Sequence, residues 1–382
     1  MKRLTPYLTR YVEAALRADL DRKMVFLTGP RQSGKTRLAR HLLEESCGEP
    51  KQWYLNWDAA DDREHVLRER FPSGQGMIVL DEIHKYSRWR QVVKGLFDKR
   101  AHELRILVTG SARLDYYRKG GDSLQGRYHL YRLHPLSFAE IQGKTGKDLH
   151  DLLRYGGFPE PFLAASETET RRWSREYQSR VIREDLRDLT NVRDVGLIER
   201  LALRLPELVG SPLSLNALRE DLQVAHQTVS RWVEALERLY VLFRIYPFGG
   251  PKIRAVKKEA KHYHFDWTLV GNIGLRFENL VACHLLKWCH FHEDKEGRRL
   301  ELRYFRDVDR REVDFVVMED GRPRQFVECK VSEKEVAPAL KYLKQRFPAV
   351  EAVQVVLNAG EDMTTRDGIR VCPAEVFLRS LV

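Results

Sequence analysis

Gly29-Pro30-Arg31-Gln32-Ser33-Gly34-Lys35-Thr36 sets two glycines, a lysine and a hydroxyl at the spacing G-x-x-x-x-G-K-T. That spacing suits the grip of a polyphosphate. Backbone N–H groups of such a loop, and of the helix after it, converge on phosphate oxygens with help from the helix dipole. Gly34 lets the main chain come close, Lys35 neutralises the β and γ phosphates, and Thr36 offers its hydroxyl to Mg²⁺. Farther along, Met77-Ile78-Val79-Leu80-Asp81-Glu82 is an apolar run that ends in two acids. Acids at the C-terminal end of a parallel strand face the crevice where ligands bind. Asp81 is expected to hold Mg²⁺ through water and Glu82 to polarise an attacking water, so ATP and Mg²⁺ are the expected cofactors.

Elements must position these groups. Residues 24–30 read as a buried strand entering a tight loop, and Lys35 to Glu45 as a helix with Leu38, Leu42 and Leu43 on one face. Further strands are expected at Trp53–Trp57, Met77–Leu80 and Arg105–Thr109, with helices between them. Strands alternating with helices predict a parallel sheet covered on both faces. After Pro135 the text turns helical, broken by Tyr155-Gly156-Gly157-Phe158-Pro159. From about Tyr263 it is mixed, with a helix at Ile273–Cys289, several strands, and a helix at Glu335–Arg346. The expected partition is 1–145, 146–262 and 263–382.

The first two motifs match the Walker A and Walker B patterns. With Ile106-Leu107-Val108-Thr109-Gly110-Ser111 as the next strand, the chain resembles the AAA+ ATPases. GPRQSGKT, MIVLDEIHK, VTGSARLD, GRYHLYRLHPLSFAE and YGGFPEPFL resemble, in that order, a prokaryotic AAA+ subgroup with a carboxy-terminal domain of unknown function. The resemblance implies a P-loop NTPase parallel sheet in which Ser111, with Thr109 as the alternative, senses the γ-phosphate. Arg113 and Arg127 are the candidate arginines for stabilising transferred charge, in their own chain or from a neighbour, a role worth about 10³–10⁵ in rate. Nothing in the sequence fixes an oligomeric state.

Two further resemblances fill the remainder. Residues 211–222 followed by Gln227-Thr228-Val229-Ser230-Arg231-Trp232 resemble a helix-turn-helix, and imply a winged-helix module with Gln227, Thr228, Ser230 and Arg231 towards DNA. Residues 201–250 carry five basic and five acidic side chains, a poor footprint for DNA, whereas Lys252, Arg254, Lys257, Lys258 and Lys261 form a basic run. Glu278, then Asp314, then Glu328-Cys329-Lys330 resembles the restriction-endonuclease-like superfamily. The resemblance implies an α/β domain with Asp314 and Glu328 as ligands of a second Mg²⁺, Lys330 on the attacking water and Glu278 in support. Cys283, His284, Cys289, His290 and His292 lie near one another without a CxxC pair, and read as buried thiols and ordinary histidines rather than a zinc site.

The net charge is +11, with 28 basic against 19 acidic residues in 1–150 alone. A polyanionic partner is expected, and ATP accounts for part of that demand. With no window of about 18 apolar residues, no membrane span is expected. A charged amino-terminal stretch without a signal-like apolar core, and five irregularly spaced cysteines, fit a cytoplasmic chain. Three functions follow in order of preference: an ATPase switch acting on nucleic acid, an ATPase switch whose carboxy-terminal module binds a protein partner, and a P-loop kinase.

Overall fold

The computed structural model describes residues 7–46, 53–71, 74–110, 124–186, 195–249, 259–332, 335–358 and 360–382. The chain divides into two compact units at Leu136/Ser137.

The first unit is a five-stranded parallel sheet built from β1 (Met24–Thr28), β2 (Trp53–Asn56), β3 (Gly76–Asp81), β4 (Leu104–Thr109) and β5 (Tyr128–Arg132). Its order is β2-β3-β4-β1-β5. β1 and β3 are buried along their whole length, as apolar runs covered on both faces must be. Phe26, Ile78, Leu80, Ile106 and Val108 join one core with Trp89 and Val93 of the helix Trp89–Arg100. The order has a consequence for chemistry. β4 lies between β1 and β3, pairing Thr109 with Leu27 on one side and with Asp81 on the other.

The second unit carries an eight-stranded mixed sheet of order β12-β13-β11-β10-β9-β8-β6-β7. Its strands are β6 (Leu242–Pro247), β7 (Lys261–His264), β8 (Leu300–Arg306), β9 (Glu312–Glu319), β10 (Arg322–Lys330), β11 (Glu351–Val356), β12 (Met363–Thr364) and β13 (Arg370–Pro373). The helices Leu215–Leu222 and His226–Arg238 precede the antiparallel β6–β7 pair, and β6 continues the sheet by pairing with β8 in parallel. The middle of the chain and its carboxy-terminal part thus share one sheet. The helix Ile273–Glu296 buries Phe277, Leu280, Val281 and Leu285 and runs seven residues beyond the expected end at Cys289. Among the described residues no helix is long and apolar enough to cross a membrane.

Candidate functional site

β1 ends at Thr28 and the phosphate loop begins at once, because Gly29 has φ 134° and a side chain there would bring a Cβ within 2.4 Å of the Leu133 carbonyl oxygen. Gly34, at φ 100°, turns the chain into the helix Lys35–Glu45. Both positions require glycine. Between them Pro30, Arg31, Gln32 and Ser33 form the loop, with Ser33 fully buried and its Oγ lacking any hydrogen-bond partner. Lys35 is buried, and its ammonium donates to the carbonyls of Gly29 (3.0 Å) and Pro30 (2.6 Å). The lysine is therefore folded over the loop that it would share with phosphate.

Asp81 at the end of β3 is the hub. Its Oδ2 accepts from the Thr36 hydroxyl at 3.0 Å, its Oδ1 accepts from Thr109, and Tyr54 of β2 also donates to Oδ2. Four separated stretches thus meet at one carboxylate. Burial and the neighbouring Asp81 push the Tyr54 phenol far above its usual range, so it stays a donor. Glu82 follows in the left-handed region at φ 57°, an uncommon conformation for a non-glycine residue. Its N–H donates to the Thr109 carbonyl at 3.0 Å. Its Oε2 lies 3.4 Å from Lys85 Nζ and 3.7 Å from His84 Nε2.

Two residues at the site carry no local signal in the sequence. Tyr54 is one. The other is Arg10, a buried guanidinium that donates to Ser33 O and to His134 O, both at 2.6 Å. It ties the phosphate loop to the segment after β5. Asn56 and Asp58 act as loop residues: Asn56 Oδ1 accepts from the Asp58 N–H, and Asp58 pairs with Lys85.

The candidate arginines fare differently. Ser111 and Arg113 lie outside the described residues, so of the two sensor candidates the structure places Thr109, on Asp81. Arg127 lies away from the phosphate loop of its own chain. Its carbonyl accepts from Met24 N–H at the start of β1, whereas the phosphate loop follows the strand's other end, about 16 Å away for five residues. Its guanidinium also pairs with Asp98, at 2.7 Å and 3.4 Å. From within its own chain Arg127 does not reach the loop.

In the second unit, β9 and β10 bring Asp314 and Glu328 side by side. Asp314 Oδ2 accepts from Cys329 N–H at 2.8 Å, and Glu328 Oε2 accepts from Asp314 N–H at 3.3 Å. Lys330 Nζ lies 3.1 Å from Glu328 Oε1. Glu278 accepts from Tyr263 OH at 2.7 Å with Lys261 Nζ at 3.7 Å. Lys261, 1% exposed, also pairs with Glu312. Burial, then the neighbouring Asp314, raises both Glu278 and Glu328 to about 8. Burial likewise raises Asp314. Glu278, Asp314 and Glu328 do not bring three ligand atoms within 4.8 Å of one another, unlike the partly buried group Glu13, His41 and Glu45.

Cys283 and His284 serve the core. Cys283 Sγ donates to His264 O, while His284 Nε2 accepts from Phe138 N–H at 3.0 Å. Gln227 and Arg231 are exposed on the helix His226–Arg238, and Thr228 and Ser230 are half-buried. Of the basic run 252–261, only Lys261 is described, and it is buried.

A parallel sheet with a phosphate loop after β1, and with β4 inserted between β1 and an acid-ending β3, is a P-loop NTPase sheet of the AAA+ type. Residues 21–142 match the family model described as an AAA domain. Residues 146–279 and 273–377 match two domains of unknown function, DUF8612 and DUF4143. The chain is 28% identical over 346 residues to an uncharacterized protein of Mycobacterium tuberculosis, covering 87% of this chain and 76% of that one. It is 22% identical over 353 residues to an uncharacterized protein of Methanocaldococcus jannaschii, covering 79% and 70%. Among solved structures it resembles the Thermotoga maritima RuvB Holliday junction branch migration motor, with 17% identity, TM-score 0.32, and 61% and 87% of the two chains covered.

Proposed function

We propose that the chain binds and hydrolyses ATP with Mg²⁺ and uses the nucleotide state to reposition its second unit on nucleic acid. The observation that carries the ATPase reading is the Thr36–Asp81 contact at 3.0 Å beside a buried Lys35. The hydroxyl and carboxylate expected to share a Mg²⁺ ion already touch. The orphaned Ser33 hydroxyl and the glycine-lined turn also suit a phosphate guest. Lys35 would leave the Gly29 and Pro30 carbonyls for the phosphates, and Glu82 would orient water. Bound Mg²⁺ would neutralise phosphate charge. Thr109, on the far side of Asp81, would report whether that carboxylate has changed partners.

The nucleic-acid reading rests on the helix pair ahead of the β6–β7 hairpin, with Gln227 and Arg231 exposed, and on Asp314, Glu328 and Lys330 gathered on β9 and β10. One observation favours the alternative, a protein-binding switch that cuts nothing. Lys261 already supplies a buried cation to Glu278 and Glu312. The test is one set of assays on the full chain, with and without ATP. Nucleic-acid binding is expected to weaken with salt, with a log–log slope of about −0.9 for each phosphate neutralised on duplex DNA. Cleavage by wild type but not by Asp314→Ala would assign the nuclease. Absence of both binding and cleavage would overturn the nucleic-acid reading and favour the protein switch.

A further inference from the structure

A cleft of about 310 Å³ in the second unit lies along the helix Glu167–Arg180 and the turn Trp267–Leu269. Neither acidic site includes its lining residues. The wall carries Arg154, Arg171, Arg175 and Arg276 with Glu167, and the buried Asp266 lies beneath it, close enough to act on Arg276. Glu167 answers two of the four, with Arg154 Nε at 2.6 Å and Arg171 at 3.5 Å. Arg175 and Arg276 make no ion pair among the described residues. Arg276 is held by its Nε, which donates to Val270 O at 2.7 Å, and burial lowers its hold on the proton. Four arginines thus face two acids, Glu167 and Asp266, and the cleft keeps a positive balance.

A second observation is independent of charge. Thr170 lines the cleft, is 4% exposed, and its Oγ1 has no hydrogen-bond partner. A buried hydroxyl left unpaired is costly, and a ligand oxygen would satisfy it. The neighbouring hydroxyls are already used: Ser174 donates to Asp266, and Thr268 donates to the same carboxylate through N (3.1 Å) and Oγ1 (2.6 Å). This floor also accounts for the Tyr155-Gly156-Gly157-Phe158-Pro159 turn. A Cβ on Gly156, which has φ 81°, would stand 2.9 Å from Thr268 Cγ2.

We propose that this cleft binds a phosphate-bearing anion, gripped by Arg175 and Arg276 and accepting a hydrogen bond from Thr170. Planar guanidinium groups match phosphate oxygens with paired donors, which a lysine cluster would not do. The phosphate belongs either to a small polyphosphate or to a nucleic-acid backbone, and the experiment separates the two.

Tripolyphosphate is titrated into the full chain by calorimetry, with excess non-hydrolysable ATP analogue and Mg²⁺ present to fill the phosphate loop. Saturable binding is expected, weakened about tenfold or more by Thr170→Val and by Arg175→Ala. Both variants should retain the wild-type unfolding midpoint within a few degrees, since Arg175 is exposed and Val matches Thr in shape. A labelled single-stranded oligonucleotide that displaces tripolyphosphate assigns the backbone as ligand; failure to displace it assigns the small polyphosphate. No saturable binding of either probe by wild type, or variants that bind as wild type does, would overturn the proposal.

Discussion

Glu82→Gln is expected to lower ATP turnover by about 10²–10⁴-fold, the usual contribution of a positioned general base, while ATP affinity changes little. The physical case lies in how the residue is held. The left-handed turn at φ 57° and the N–H bond to the Thr109 carbonyl fix its backbone to β4. Lys85 Nζ and His84 Nε2 flank the carboxylate at 3.4 Å and 3.7 Å. Glutamine preserves the shape but cannot accept a proton from water. Phosphate release and equilibrium binding of ATP, measured on the same preparation, separate chemistry from affinity. Turnover at the wild-type rate would remove Glu82 from the chemistry. A matching collapse of affinity would make it a binding residue instead.

Lys261→Met is expected to destabilise the second unit by about 3 kcal/mol at pH 8, the low end for breaking a buried pair, because Glu312 keeps part of its surface in water. The long side chain is retained in volume, so the loss is electrostatic rather than a cavity. The sign of the pH dependence follows from the acids left behind. Burial raises Glu278 and Asp314 above their unfolded values, Glu278 to about 8. A raised acid binds its proton more tightly in the folded state, so its contribution to stability grows as pH falls. Without the lysine that contribution enlarges. The deficit of Lys261→Met relative to wild type should therefore shrink between pH 8 and pH 5.5. Denaturant unfolding at the two pH values checks this, and a deficit that grows towards acid would refute the assignment of Lys261 as the cluster's counter-cation.

How much the sequence discloses depends on whether a residue's surroundings are local. β1, β3 and β4 are readable because each is an apolar run buried on both faces. β5, Tyr-His-Leu-Tyr-Arg, is a half-exposed edge strand whose mixed side chains blur the pattern, and it is overlooked as an element. β7, Lys-His-Tyr-His, looks like a solvated stretch yet is buried at every position. Its polarity is matched by partners far along the chain: Lys261 by Glu278 and Glu312, His262 by the Leu205 carbonyl, Tyr263 by Glu278. The basic run at 252–261 therefore includes a lysine that cannot serve as a surface contact.

The site divides in the same way. Gly29, Gly34, Lys35, Thr36 and Asp81 are legible because backbone geometry and phosphate chemistry demand those types at that spacing. Arg10 and Tyr54 are not, since each acts across the fold, Arg10 on carbonyls 23 and 124 positions away. Arg127 shows what spacing leaves open: the fold sets it beside the start of β1, away from the phosphate loop of its own chain.

Whether Lys35, Thr36 and Asp81 form a Mg²⁺-dependent ATPase site is decided by ATP turnover of the full chain. Wild type should release phosphate only when both ATP and Mg²⁺ are supplied, and Lys35→Ala should show no turnover above background. Turnover that survives Lys35→Ala, or that proceeds undiminished with Mg²⁺ chelated, would overturn the assignment of this site.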